Sequence, residues 1–268
     1  MTDHTHDLER VFSHGAFIPF VTCGDPDIET TEGLVRAMAE AGADLIELGI
    51  PFSDPIAEGP VIQAADVRAL SSGVTTDDIF DMAERVRADS DVPMLVMTYI
   101  NPVFVYGPGR FMERCRRAGI CAVIVPDMPY EQKQDLQPYC KEYGVKLISM
   151  IAPTSEDRIS MIASEAEGFV YIVSSMGVTG VRTSFSSNLE DMVASVRRAT
   201  DTPCAIGFGI STPEQARRMT DFADGAIVGS AIVRIVAEHG RDSVPYVAEY
   251  VRRMREELDR ARSLSVPI

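Results

Sequence analysis

Glu47 is the one carboxylate in the middle of any strand-like segment of this chain, within Asp44-Leu-Ile-Glu-Leu-Gly-Ile50. Strand alternation puts Ile46, Leu48 and Ile50 on one face and Leu45, Glu47 and Gly49 on the other. The bulkier face suits packing against helices, which turns Glu47 toward an interior. A buried carboxyl without a cation prefers its neutral form, so its pKa is expected to rise toward neutrality and to suit general acid–base work. The competing reading is a buried ion pair, but no strand interior supplies an Arg or Lys. The following segment, Pro51-Phe-Ser-Asp-Pro-Ile-Ala-Glu-Gly-Pro60, carries Asp54 and Glu58 in a stretch stiffened by three prolines. Glu58 is a second candidate acid or base. Asp54 reads as a turn or interface residue.

Glycine-bearing turns follow the later strand-like segments: Gly177-Val-Thr-Gly180, Gly207-Phe-Gly-Ile-Ser211 and Gly229-Ser-Ala231. Glycine lets backbone approach a ligand closely. Ala231–Glu238 reads as a short helix, and a helix N-terminus beside such turns is a recurrent phosphate site. The three turns hold no Lys or Arg, the nearest being Arg182. Phosphate binding is therefore expected to rest on oriented backbone N–H groups, with the Ser230 hydroxyl assisting. The four histidines are His4, His6, His14 and His239, all near the chain ends, so no metal-ligand set is expected. None of the three lysines (Lys133, Lys141, Lys146) reads as well placed for a Schiff base. Carboxylate acid–base chemistry on a phosphorylated small molecule is what these residues favour.

The elements that must position these groups alternate along the chain. Strands are expected at Phe17–Thr22, Asp44–Ile50, Met94–Tyr99, Ala122–Pro126, Lys146–Ile151, Phe169–Ser174, Cys204–Gly209 and Ala226–Gly229. Helices are expected at Asp27–Ala41, Thr75–Ala88, Tyr130–Tyr143, Ser155–Ala166, Leu189–Arg198 and Thr212–Phe222. Eight strands alternating with helices favour an α/β fold, a single (β/α)8 barrel with a short extra helix after the eighth strand. The first strand runs into Thr22-Cys-Gly-Asp-Pro26, not the GxGxxG turn of a doubly wound fold. One domain is expected over 1–268, with 1–14 an N-terminal extension or helix and 243–263 a closing helix capped by Ser243. Two connections, Pro51–Val74 and Ser175–Asn188, are long enough to be functional loops on the catalytic face.

Composition narrows the setting. The 268 residues carry a net charge of −15, which opposes nucleic-acid binding. No apolar run approaches the length of a membrane helix. The five cysteines are odd in number and lack CxxC spacing, so free thiols in a reducing compartment are expected. A polar N-terminus without signal-peptide character makes the cytoplasm the expected location.

The segments Phe17–Thr22, Glu47-Leu-Gly-Ile-Pro-Phe-Ser-Asp-Pro55, Gly59-Pro60, Val125-Pro-Asp-Met-Pro129, Tyr171, Gly177–Gly180, Gly207–Ser211 and Gly229–Ala231 resemble the tryptophan synthase α-subunit family, in order, over roughly residues 10 to 240. The resemblance implies a lyase of L-tryptophan biosynthesis that cleaves indole-3-glycerol phosphate to indole and glyceraldehyde 3-phosphate in a retro-aldol reaction. By motif position it makes Glu47 the acid–base glutamate acting at indole C3, and Glu58 the carboxylate that takes up the indole N–H. It places Phe20, Tyr99, Tyr171, Thr179 and Phe208 around the substrate, and Gly180, Gly209, Gly229 and Ser230 at the phosphate. Asp54 and Asn101 fall in interface or loop positions. A β subunit, in an α2β2 assembly, is the implied partner, and pyridoxal phosphate is expected only there. The family's second carboxylate is commonly Asp, so Glu58 is one methylene longer. Ser174-Ser-Met176 stands where some members carry an arginine.

Overall fold

The computed structural model of the chain describes residues 7–153, 156–173, 185–207 and 209–265. Its strand segments are β1 (Ala16–Thr22), β2 (Ile46–Gly49), β3 (Met94–Met97), β4 (Ile120–Ile124), β5 (Lys146–Leu147), β6 (Ser149–Ile151), β7 (Val170–Val173), β8 (Cys204–Gly207) and β9 (Gly225–Val228). All pairings are parallel, in the order β5-β4-β3-β2-β1-β9-β8-β7-β6. Seven expected strands appear with slightly shifted ends. The other, Lys146–Ile151, is divided at Ile148. Its first half pairs with β4, the Ile148 amide donates to the Val123 carbonyl, and its second half pairs with β7. The chain at Ile148 thereby joins the two ends of the sheet and closes the α/β barrel.

The helices are α1 (Asp7–Val11), α2 (Ile28–Glu40), α3 (Pro60–Ser71), α4 (Thr76–Arg87), α5 (Ile100–Tyr106), α6 (Pro108–Arg117), α7 (Gln137–Tyr143), α8 (Glu156–Ser164), α9 (Phe185–Ala199), α10 (Pro213–Thr220), α11 (Ser230–His239) and α12 (Val244–Ser265). Local chemistry sets several starts. Thr75 and Asp78 form a capping box for α4, and Thr212 and Gln215 form one for α10.

The structure corrects the sequence reading in four places. Pro51–Val74 is not one loop, because α3 starts at Pro60 behind Gly59 as its cap. The connection after β3 holds α5 and α6, separated by Gly107. Asn101, expected on a loop, therefore lies in α5, where it is exposed. Tyr130–Tyr143 is a 3-10 segment, Tyr130–Asp135, followed by α7. Pro138, in the first turn of α7, lacks an N–H and crowds the carbonyl four residues earlier, so one continuous helix is blocked. Ser243 does not cap α12 with its side chain. It has helical φ −71° and ψ −23°, its hydroxyl has no partner, and its carbonyl accepts from Val247 instead.

Alternation along the strands builds two apolar layers. Phe17, Ile46, Leu48, Val96 and Val123 face outward onto helix residues such as Leu34, Val35 and Met38 of α2. Ile18, Leu45, Leu95, Ile124, Phe169 and Ile227 face inward. Leu8, Val11 and Phe12 pack onto the inner set, and the Phe12 and Phe169 rings lie 5.1 Å apart. The expected 1–14 extension is thus, in its described part, α1 plus a 3-10 turn (Phe12–His14) that closes the N-terminal mouth of the barrel. Beside it, the Asp44 carboxylate accepts from the Phe17 amide and from Arg255 of α12, both at 2.7 Å. All five cysteines are free and buried. Among the described residues, no helix is long and apolar enough to cross a membrane.

Leu8 is 2% exposed, so Leu8→Ala is expected to cost ~2–4 kcal/mol of stability by leaving a cavity under the barrel. Urea unfolding measures it, and an unchanged midpoint would mean that α1 contributes nothing to the barrel floor.

Candidate active site

Glu47 sits in β2 between Phe20 of β1 and Leu95 of β3, its partners in register. It is 1% exposed, and neither carboxylate oxygen has a hydrogen-bond partner in the protein. No cation reaches it among the described residues, so the ion-pair reading fails. Burial raises its pKa to about 8, and the nearby charge of Glu58 adds to the rise. Glu47 is therefore predominantly a neutral acid at pH 7, in a wall made of apolar neighbours.

The inner face leaves room for aromatic rings only where glycine stands. A Cβ on Gly49 would meet the Phe20 ring at 2.5 Å, and one on Gly207 would meet the Tyr171 hydroxyl at 2.3 Å. Both glycines lie inside strands, where they cost stability but admit a bulky neighbour. The Tyr171 phenol is held neutral by burial, and the charges of Glu47 and then Glu58 act in the same direction. Glu47, Glu58 and Tyr171 thus share one electrostatic environment.

Glu58 lies at the end of the loop after β2, just before α3. Tyr99 donates a hydrogen bond to its Oε2, while the Ala57 amide donates to the Tyr99 oxygen at 2.8 Å. Phe52 stacks on Tyr99 with ring centres 5.1 Å apart. Gln63 of α3 donates to the Glu58 carbonyl at 2.8 Å. Burial raises the Glu58 pKa; the Tyr99 hydrogen bond opposes this, and the Asp127 charge reinforces it. Asp66 of α3, a buried acid that the sequence did not single out, accepts from the Phe52 amide. Its pKa is pushed up to about 7 by burial, then by the charges of Glu58 and Asp25. Asp25 is itself held by both arms of Arg68, at 2.8 and 2.7 Å.

A cavity of about 700 Å³ opens over these groups at the C-terminal ends of the strands. Phe20, Glu47, Glu58 and Tyr171 line it together with Gly209, Gly229 and Ser230, and Gly229 lies against Phe20. Ser230 begins α11 with Gly229 as its cap, one residue earlier than the sequence suggested. Tyr99 does not line the cavity, being 3% exposed behind the loop that it supports. Asp54 and Asn101 are exposed away from the cavity, and Asp54 accepts from the Ser53 hydroxyl at 2.6 Å. Thr179, Gly180 and Phe208 lie outside the described residues. Lys133 is better placed than the sequence implied, since it borders the cavity. Burial lowers its pKa, but the hydrogen bond to Glu165 outweighs this and the net shift is upward, which keeps the amine charged and poorly nucleophilic.

The family described as "Tryptophan synthase alpha chain" matches residues 9–262. The chain belongs to this family. A tryptophan synthase alpha chain of Lacticaseibacillus casei is 46% identical over 260 residues, covering 97% of this chain and 98% of its own. Among solved structures, tryptophan synthase subunit alpha from Legionella pneumophila superposes with a TM-score of 0.86 at 32% identity, covering 97% of this chain and 99% of its own. A chain of the tryptophan synthase α2β2 complex of Pyrococcus furiosus superposes with a TM-score of 0.84 at 34% identity, covering 91% and 98%. The tryptophan synthase α fold therefore extends over nearly the whole length of this sequence.

The Glu47 environment has a thermodynamic signature. Above pH 4.5 the unfolded carboxyl is ionised, whereas the folded one stays neutral up to about pH 8. Folding then takes up a proton, so stability falls as pH rises through that window, by at most ~1.4 kcal/mol per pH unit. Glu47→Gln removes this contribution. The variant is expected to match wild type near pH 4.5 and to exceed it by roughly 2–5 kcal/mol at pH 8. Parallel pH slopes in denaturant unfolding would show that Glu47 ionises normally in the folded protein.

Proposed function

We propose that this chain is the α component of a tryptophan synthase, a lyase that cleaves indole-3-glycerol phosphate to indole and glyceraldehyde 3-phosphate in L-tryptophan biosynthesis. The observation that carries the reading is the Glu47 carboxyl, buried and unpartnered on the cavity wall. As a neutral acid it can protonate indole C3, which breaks the ring's aromaticity and makes that carbon a leaving group. Glu58 is positioned to take up the indole N–H as the ring gains positive charge, and to return that proton to nitrogen when the electrons of the broken bond re-enter the ring. The hydroxyl on the adjacent glycerol carbon must lose its proton as the carbon–carbon bond breaks and the aldehyde forms. The carboxylate left on Glu47 is the base in reach, and receiving that proton restores the acid. Electrons of the broken bond return to the indole ring, so the reaction needs no redox partner.

The rest of the assignment rests on the cavity lining together with the motif positions. Phe20 and Tyr171 offer apolar surface for an indole ring, with Thr179 and Phe208 as further substrate positions. Gly209, Gly229 and Ser230, with Gly180, are the phosphate positions we assign. Tyr99 holds Glu58 in place, and this support is how the chain accommodates the longer Glu where the family commonly has Asp. We assign no pyridoxal phosphate to this chain, since the cofactor chemistry belongs to a β partner. We read the whole chain as one barrel domain. Free, buried thiols support a reducing compartment, and we assign the cytoplasm.

A β subunit in an α2β2 assembly is the partner. Ile56, in the loop after β2, is 82% exposed, and Val105 and Phe104 on α5 are 80% and 47% exposed. These side chains follow β2 and β3, on the catalytic side of the barrel. Their apolar exposure suits a docking surface beside the loop that carries Glu58.

Indole release from indole-3-glycerol phosphate, measured with and without a β subunit, tests the assignment. Weak activity alone, strong stimulation by the partner and loss of cleavage in a folded Glu47→Gln variant are expected. Near-wild-type turnover in that variant would remove Glu47 from the mechanism. Tyr99→Phe deletes the hydrogen bond to Glu58 and is expected to lower kcat by about 10- to 100-fold. Undiminished kcat would mean that Glu58 needs no such support.

A further inference from the structure

The phosphate end of the cavity holds more than backbone dipoles. Arg234 borders the cavity together with Gly209, Gly229 and Ser230. It lies on α11 four residues after Ser230, hence on the same helix face. Side chains on a helix lean toward its N-terminus, which directs the guanidinium back over the Ser230 end. Among the described residues, no carboxylate forms an ion pair with Arg234. The other cations bordering the cavity are engaged, Lys133 by Glu165 and Arg158 by Glu131.

We propose that Arg234 is a binding residue of the anion subsite, supplying the formal positive charge that holds a phosphomonoester dianion against the N-terminus of α11. The identity of that phosphomonoester as indole-3-glycerol phosphate rests on the function proposed above. The physical need is clear from the surroundings. The chain carries a net charge of −15, and two acids, Glu47 and Glu58, line the same cavity. The first turn of a helix contributes roughly half a unit charge and a few N–H donors, which leaves most of a dianion's charge unmatched. A guanidinium stays ionised across the working pH range and offers forked donors suited to phosphate oxygens. It therefore selects the phosphorylated substrate over the corresponding alcohol and fixes which end of the ligand enters beside α11.

The test compares Arg234→Gln and Arg234→Lys with wild type. Glycerol 3-phosphate is titrated calorimetrically at low and high salt, and cleavage is assayed with indole-3-glycerol phosphate and with the phosphate-free indolylglycerol. The Gln variant is expected to bind glycerol 3-phosphate about tenfold more weakly, with a shallower salt dependence. Its loss falls on KM for the phosphorylated substrate rather than on kcat, and KM for the phosphate-free compound does not change. The Lys variant recovers most of the affinity. Equal affinity of wild type and the Gln variant at low salt overturns the inference, as does an equal loss on both substrates. Weakened phosphate binding in a chain that does not cleave indole-3-glycerol phosphate would support the Arg234 assignment while refuting the lyase.

Discussion

A carboxyl group that is both buried and unpartnered governs the design of this barrel. Glu47 points into the interior with Phe20 and Leu95 beside it in register, and no hydrogen bond reaches either oxygen. A cation placed there would ionise the group and remove the neutral acid; water in free exchange would do much the same. The surrounding wall is therefore apolar, and the closest polar neighbours are a second acid and a phenol. The arrangement costs folding energy at neutral pH, which the inner and outer apolar layers of the barrel must offset. Function and stability pull in opposite directions at this one side chain.

The second acid is handled in the opposite way. Glu58 sits on a loop, which by itself would leave a carboxylate solvated and mobile. Here the loop is tied from several sides. Tyr99 at the end of β3 bonds the carboxylate and receives the Ala57 amide. Asp66 and Gln63, both on α3, take up the Phe52 amide and reach the Glu58 carbonyl. The pair of buried Asp25 and half-exposed Arg68 joins α3 to the turn after β1. Two buried acids are thus fixed by different means, one by strand geometry and one by a hydrogen-bonded brace.

This division also explains what was legible in the sequence. Glu47 could be read because strand periodicity is strict and one acid in an otherwise apolar strand stands out. The barrel could be read because short apolar segments alternate with capped helices, as Thr212-Pro-Glu-Gln215 illustrates. The helix α3 escaped because its buried residues are only Ala65, Asp66 and Ala69, too small a stripe to be visible beside Pro51, Pro55 and Pro60. The split fifth strand escaped because a change of neighbour at Ile148 leaves no mark on composition. Tyr99 was expected at the substrate but stands behind Glu58, since its position relative to the loop depends on the tertiary arrangement. Asp66 and Arg234 are invisible in one dimension for the same reason: each acts from a helix toward residues presented by other elements or by an earlier turn.

The cavity brings two acids together with a helix N-terminus, and that pairing constrains how a substrate can lie in it. Glu47 and Glu58 line it, and burial raises the pKa of both, with the Glu58 charge adding to the rise at Glu47. The N-terminus of α11 and Arg234 line it too, and among the described residues no carboxylate pairs with that guanidinium. A dianion bound near the acids would push both pKa values higher still and suppress the proton uptake required of Glu58. Held against α11 instead, the same charge lies a glycerol chain away from the reacting bond. The phosphate then orients the molecule, and the acids meet only the neutral indole. Holding the phosphate against α11 rather than beside the acids lets a strongly acidic protein bind an anion and still keep a protonated carboxyl at the bond to be broken.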